Sequence, residues 1–300
     1  MSVIRVDDLH KRYGELDAVA GVSFEVAEGE VYGLLGHNGA GKSTTVEILE
    51  GHRRRTSGQV SVLGMDPASG GREFRDRIGV VLQSSGVETE LTVREAIRLY
   101  GSVYRRQRPA DELLDLVGLD EKADARIGTL SGGQRRRLDL ALGIVGCPDL
   151  VFLDEPTTGF DPAARRKSWD LIQGLCSTGT TVLLTTHYLD EAEHLADRVG
   201  VLTHGKLVAE GSPAQLIDGA AHTVISFSFG GVDPSDLVRV IPDGALIAAG
   251  RVEIATSSPT QIVHDVTRWA LDRGVELKDL SVVRPSLEDV FLGLAQEDDT

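Results

Sequence analysis

Eight consecutive residues, Gly36-His37-Asn38-Gly39-Ala40-Gly41-Lys42-Ser43, follow the pattern G-x-x-x-x-G-K-[ST]. Glycines at these positions let backbone N–H groups turn inward around phosphate oxygens. An apolar run, Val31 to Leu35, comes before the segment, and a helical stretch from Thr44 to Glu50 comes after it. The loop therefore opens a helix, and the helix directs its positive end at the same anion. Lys42 can reach the β- and γ-phosphates of a nucleotide, and the Ser43 hydroxyl can ligate Mg2+.

A phosphate loop needs a metal partner. Leu150-Val151-Phe152-Leu153-Asp154-Glu155 is an apolar strand ending in two carboxylates. Successive strand residues point to opposite sides, so one carboxylate can face Mg2+ and the other a water. Asp154 is assigned to the metal, through water, and Glu155 to general base. His187 ends a further apolar run, Thr181 to Thr186, and can hydrogen-bond the γ-phosphate or the water.

These residues need a parallel sheet to gather them. Val31 to Leu35, Ile78 to Leu82, Leu150 to Leu153 and Val182 to Leu184 are short and apolar on both faces, as buried parallel strands are. Helical segments alternate with them. Thr92-Val93-Arg94-Glu95 is a capping box opening a helix through about Tyr104, and Asp161-Pro162 starts another through about Leu175. The expectation is an α/β domain with helices on both sheet faces, plus an antiparallel accessory sheet from Val19–Val26 and Val60–Leu63. Near Gly219 the pattern changes, which divides the chain into residues 1–219 and a small α+β tail, 220–300. The tail reads as strand 223–229, helix 234–240, strand 245–249, strand 252–256, helix 259–273 and strand 277–283. That βαββαβ order resembles the ferredoxin-like split unit. Ser258 is the expected cap of the long helix, Pro259 its first residue and Gly274 its stop.

Composition limits the partners. The 300 residues carry 31 Lys+Arg against 46 Asp+Glu, a formal net charge of −15. That charge repels nucleic acids and anionic membranes at long range, so no nucleic-acid partner is expected. With 41% hydrophobic residues the chain reads as globular, and no apolar run reaches the ~20 residues of a membrane helix. Two cysteines, Cys147 and Cys176, make neither a disulfide framework nor a zinc cluster. The N-terminus shows no apolar leader segment, and the expected compartment is the cytosol.

Between the two nucleotide motifs lies Leu130-Ser131-Gly132-Gly133-Gln134. With the phosphate loop, the strand ending in Asp154-Glu155 and Thr185-Thr186-His187 in this order, residues 3–217 closely resemble the ATP-binding subunit of ABC transporters. The resemblance implies an ABC ATPase fold with a helical subdomain, and ATP and Mg2+ as ligands. It implies that Tyr13 stacks on adenine and that Gln83 touches Mg2+ and water. Gly159-Phe160-Asp161 resembles the D-loop, with Phe160 where leucine is usual. Ser131 is a good helix cap, and Gly132 and Gly133 expose N–H groups at a helix start, a second anion site. The resemblance implies a head-to-tail homodimer in which each ATP lies between one copy's Gly36–Thr44 segment and the other's Leu130–Gln134. Gln134-Arg135-Arg136-Arg137-Leu138, the segment 186–193 and the segment 285–292 are similar to ATPases of the daunorubicin-resistance type of drug exporter. That similarity implies a separate multi-helix membrane permease and a peripheral location on the cytoplasmic membrane face. The alternatives are an importer ATPase with a ligand-sensing tail and a soluble non-transport ABC ATPase.

Several charged or aromatic residues receive bland readings. Arg135–Arg137 are expected to be mostly solvent-facing, and Glu191 and His194 to lie on a solvated helix face after His187. Trp169 and Trp269 are read as packing. Arg53–Arg55 and Arg105–Arg108 are read as solvated charge.

Overall fold

The computed structural model describes residues 1–82, 86–177, 179–220, 223–228, 241–242, 244–248, 250–284 and 286–291. The chain divides into two compact units, Met1–Pro213 and Ala214–Thr300.

In chain order the first unit holds β1 (Ser2–Tyr13), β2 (Leu16–Ala27), β3 (Val31–Gly36), α1 (Lys42–Leu49), β4 (Ser57–Val62), α2 (Gly71–Arg77) and β5 (Ile78–Val81). A helical stretch follows: α3 (Val93–Gly101), α4 (Ala110–Leu116) and α5 (Gly132–Ile144). The unit closes with β6 (Leu150–Asp154), α6 (Pro162–Ser177), β7 (Thr181–Thr186), α7 (Leu189–Leu195), β8 (Arg198–Thr203) and β9 (Lys206–Gly211), and α8 (Pro213–Ala220) begins at its boundary.

The central sheet runs β5-β6-β7-β3-β8-β9, parallel except for β9, which is antiparallel to β8. Its inner strands β3, β6 and β7 are apolar on both faces because each face meets a different core. On β6, Val151 and Leu153 join the core formed with α3 to α6, while Leu150 and Phe152 join the core under the accessory sheet. All four are at most 1% exposed, and each such side chain contributes about 1.5–3 kcal/mol. The accessory sheet, β2-β1-β4, is antiparallel and buries Ile4, Val6, Leu9, Val22 and Phe24.

β1 goes unread in the sequence for a physical reason. Its alternation breaks between Val6 and Leu9, where the register against β2 shifts and Asp8 takes φ 48°. β9 is a half-exposed edge strand with little apolar signal. The helix beginning after Thr92 has the expected capping box but stops at Gly101, short of Tyr104. The Tyr104 ring instead packs over Gly146 against the helical core.

In the second unit, β10 (Thr223–Ser228), β11 (Leu246–Ala248), β12 (Arg251–Thr256) and β13 (Lys278–Val283) form an antiparallel sheet in the order β11-β12-β10-β13. Counted within the unit this is 2-3-1-4, the order of the split βαββαβ arrangement. α9 (Pro259–Arg273) covers one face with Val266, Trp269 and Ala270 against Ile225, Phe227, Val252 and Ile254. Gly274 stops α9 in the left-handed conformation, but Ser258 does not cap it through its side chain. The Ser258 backbone N–H donates to Thr256 Oγ1 instead, 3.0 Å away. The helix expected over 234–240 lies outside the described residues, as do Gln83 and the acidic end of the chain.

Candidate functional site

β3 is wholly buried and delivers Gly36 to the C-terminal edge of the sheet, where open α/β folds hold ligands. The loop then turns through left-handed backbone at Gly39 (φ 85°) and Gly41 (φ 103°). A Cβ on Gly41 would run into the Ala18 carbonyl oxygen of β2, whereas one on Gly39 would meet nothing within 4 Å. The hairpin thus presses on the back of the loop while the front at Gly39 stays open. Thr45 Oγ1 donates to Gly41 O at 2.9 Å and ties α1 to the loop. The β8–β9 turn braces the other side, with Gly205 N donating to Ala40 O and Ala20 N to Gly205 O. Ser43 and Asn38 are exposed, and His37 and Thr44 are half-buried.

Lys42 is 7% exposed, and its Nζ donates to Gly36 O at 2.6 Å and His37 O at 3.1 Å. Burial holds this ammonium below the usual lysine range, against the opposing pull of Glu155 and Asp154. A buried cation cradled by carbonyl oxygens, with two carboxylates close by, fits the triphosphate and divalent cation that the motif implies.

Asp154 is the last residue of β6 and stands level with Thr185 of β7, whose Oγ1 donates to Asp154 Oδ1 at 2.5 Å. Glu155 leaves the strand in the left-handed region, φ 47°. That turn brings Glu155 Oε1 within 3.1 Å of His187 Nδ1, and Thr158 Oγ1 donates to Glu155 Oε2 at 3.1 Å. Carboxylate and imidazole meet because β6 and β7 are neighbours and both end at this edge.

Ser131 caps α5 with a full capping box, its hydroxyl accepting from Gln134 N while Gln134 Oε1 accepts from Ser131 N. Ser131 and Gly132 are exposed at that helix start, and Leu130 is half-buried just before it. Phe160 packs beside Leu130–Gln134, 3.9 Å from where a Gly133 Cβ would lie. Asp161 Oδ1 accepts from Ala163 N and Ala164 N, both at 2.9 Å, and so starts α6. Tyr13 ends β1 at 38% exposure, with Lys11 Nζ 4.8 Å and Arg53 Cζ 5.3 Å from its ring centroid.

Neither Arg135–Arg137 nor Glu191 is the solvated charge that the sequence suggests. Arg136 is buried at 9% exposure and aims its guanidinium at backbone carbonyls around Asp154 and Glu155. Arg135 and Arg137 likewise donate to carbonyls, of Val87 and of Val117 and Gly118. Glu191 is fully buried and accepts from Thr157 Oγ1 (2.7 Å) and Trp169 Nε1 (3.1 Å). Burial pushes its carboxyl up, and hydrogen bonds from Thr186, Thr157 and Trp169 pull it back. Helical spacing carried the signal in both cases: Arg136 shares a face with buried Leu140 and Gly143, and Glu191 with buried Leu195. Glu50, also unread, is 5% exposed beside His52, and burial together with Asp154 and Glu47 pushes its carboxyl to about 8.

A family model described as ABC transporter matches residues 19–158. A second, described as the C-terminal domain of ABC transporter domain-containing protein-like sequences, matches residues 223–286. Among curated proteins the chain is 39% identical to daunorubicin resistance ATP-binding protein DrrA2 of Streptomyces coeruleorubidus, covering 97% of this chain and 94% of that one. It is 40% identical to Nod factor export ATP-binding protein I of Rhizobium sp. (strain N33), covering 98% of each. Among solved structures, cbiO1 from Clostridium perfringens, part of the ABC transporter complex cbiONQ, superposes with a TM-score of 0.65 at 28% identity, over 72% of this chain and 90% of that one. A dimeric post-hydrolysis state of the ATP-binding cassette MJ0796, bound to ADP and Pi, does so with a TM-score of 0.63 at 26% identity, over 70% and 98%.

Proposed function

The chain belongs to the ABC transporter family as an ATP-binding subunit, and on that premise we propose that it hydrolyses ATP to drive export of a drug-like or lipid-like compound through a separate membrane permease. The observation that carries the reading is the convergence of buried Lys42 with Asp154 and Glu155, and of Glu155 with His187. The loop amides from Gly36 to Ser43 and the start of α1 hold the β- and γ-phosphates, and Lys42 neutralises them. Tyr13 stacks on adenine, and its hairpin reaches the loop through Ala18. Ser43, Asp154 and Gln83 are the groups that would hold Mg2+, which when bound offsets phosphate charge.

Glu155 accepts the proton of a water as its oxygen bonds to the γ-phosphorus. The bond from that phosphorus to the bridging oxygen breaks, and ADP leaves with the electron pair. His187 orients the carboxylate and the water. The Thr158 hydroxyl holds the second carboxylate oxygen, so the proton-accepting group is already in place. The signature, Leu130 to Gln134, serves the ATP of a second copy, so ATP holds a homodimer together and hydrolysis releases it.

Export is supported over import because the relatives that match through the tail are a daunorubicin resistance ATP-binding protein and a Nod factor export ATP-binding protein. Among the described residues no helix is long and apolar enough to cross a membrane, in keeping with a peripheral subunit whose pathway lies in its partner. The Lys42→Ala variant tests the site: it should lose ATP binding itself, measured by calorimetry. Retained tight binding would overturn the phosphate-loop assignment.

A further inference from the structure

We propose that Arg136 is the positioning residue of the hydrolytic turn, clamping the backbone of Glu155 in the conformation from which its carboxylate meets His187. This rests on the reading of Glu155 as the general base.

Glu155 has φ 47°, a region that a side chain with a Cβ disfavours. Such a conformation persists only where its surroundings over-determine it. On the amide side, Glu155 N donates to Thr185 O at 3.0 Å. On the carbonyl side, Glu155 O accepts from Arg136 Nη2 at 3.0 Å and from Thr158 N at 3.3 Å. Arg136 grips the residues on either side as well, with Nη2 donating to Asp154 O at 2.7 Å and Nε to Pro156 O at 3.0 Å. Its Nη1 donates to Leu82 O, the carbonyl immediately before Gln83. One planar fork therefore holds three consecutive carbonyls of the turn and that of Leu82, just past β5.

The chemistry demands arginine. Five donors in fixed geometry can span four carbonyls, whereas an ammonium or a carboxamide cannot reach them together. Burial makes the contact expensive to leave unmade, and Asp139, buried further along the same helix, supplies an opposing charge. Arg135 and Arg137 face other carbonyls of the helical part, so only the middle residue of the triplet serves the turn. α5 begins at Ser131–Gln134, the segment proposed to meet the second copy's nucleotide. The guanidinium thus links the helix serving one ATP to the carboxylate hydrolysing the other.

The test replaces Arg136 by Gln and by Lys in the full chain and reads two quantities. The first is ATPase kinetics: kcat should fall on the order of tenfold or more while KM for ATP moves less than about threefold, because the loop that binds ATP is untouched. The second is amide hydrogen exchange. Exchange at Glu155, Thr158 and Phe160 should speed up on the order of tenfold, with the β3 and β7 amides within about twofold. Arg136→Lys keeps the charge and most of the stem, and it decides the matter if Arg136→Gln does not fold. Exchange that rises equally in β3 and β7 would reduce Arg136 to a general stabiliser and overturn the proposal. So would unchanged exchange at Glu155–Phe160, whatever kcat does. Glu155→Gln is run alongside: if that variant turns over ATP at the wild-type rate, the base assignment fails, and the exchange data still judge the clamp.

Discussion

Replacing Glu50 by Gln should make the first unit more stable, by an amount that grows with pH. Glu50 closes α1 at 5% exposure, and its carboxyl is pushed to about 8 by burial, with Asp154 and Glu47 adding to the effect. In the unfolded chain it ionises near 4.5. Between those values folding takes up a proton, so each pH unit costs about 1.4 kcal/mol of stability. The contribution is fully present below the unfolded pKa and is lost as pH rises through the folded one. From pH 4.5 to pH 7.5 the accumulated loss is about 4 kcal/mol, an order-of-magnitude figure. Glutamine has the shape of the protonated acid and no charge to lose. It can still meet His52, whose Nδ1 lies 3.1 Å from Glu50 Oε2. The difference between variant and wild type should therefore be small near pH 5 and rise by roughly 1.4 kcal/mol per unit up to pH 7.5. Urea unfolding followed by tryptophan fluorescence measures it. A Trp269→Phe background leaves Trp169, the only other tryptophan, to report on the first unit alone. A difference that does not change with pH, or a variant less stable than wild type at pH 7.5, would refute the reasoning.

Two further outcomes follow from the same geometry. Glu191→Ala strands the Thr157 hydroxyl and the Trp169 N–H in a buried site, so it should cost about 2–5 kcal/mol in the same urea assay, whereas Glu191→Gln keeps an acceptor and should cost less; a loss under about 1 kcal/mol for Ala would contradict the network. Ser131→Ala and Lys42→Ala proteins, each inactive alone, should regain ATPase activity, on the order of a quarter of wild type, when mixed equally, since each mixed dimer has one intact composite site. No recovery would argue against a signature that acts on the second copy's ATP.

The parallel strands β3, β5, β6 and β7 are legible because each contributes to two cores, and that leaves an unbroken apolar run such as Leu150 to Leu153, whereas β8, with only Leu202 in either core, gives no such signal. The phosphate loop was legible because close approach and left-handed backbone force glycine, as at Gly41. β1 escaped because the irregularity at Asp8 breaks a period of two, and β9 because an edge strand needs few apolar residues. The carboxylate assigned as base could be read from the strand end, but its contact with His187 could not. That contact depends on β6 and β7 being neighbours, a fact of topology that no local pattern carries. Charge alone hides the burial of Arg136 and Glu191. Both are buried against hydrogen-bond partners contributed by distant segments. Spacing relative to Leu140 and Leu195 marked their faces, but not the partners they meet.

The central claim is an ATP-held dimer that Glu155 dissolves by hydrolysis. It is tested most directly by light scattering of Glu155→Gln protein with ATP and Mg2+. A particle of twice the 32.2 kDa chain is expected, persisting for as long as ATP is present, with phosphate release abolished. A variant that stays monomeric with ATP bound, or that releases phosphate at the wild-type rate, would contradict it.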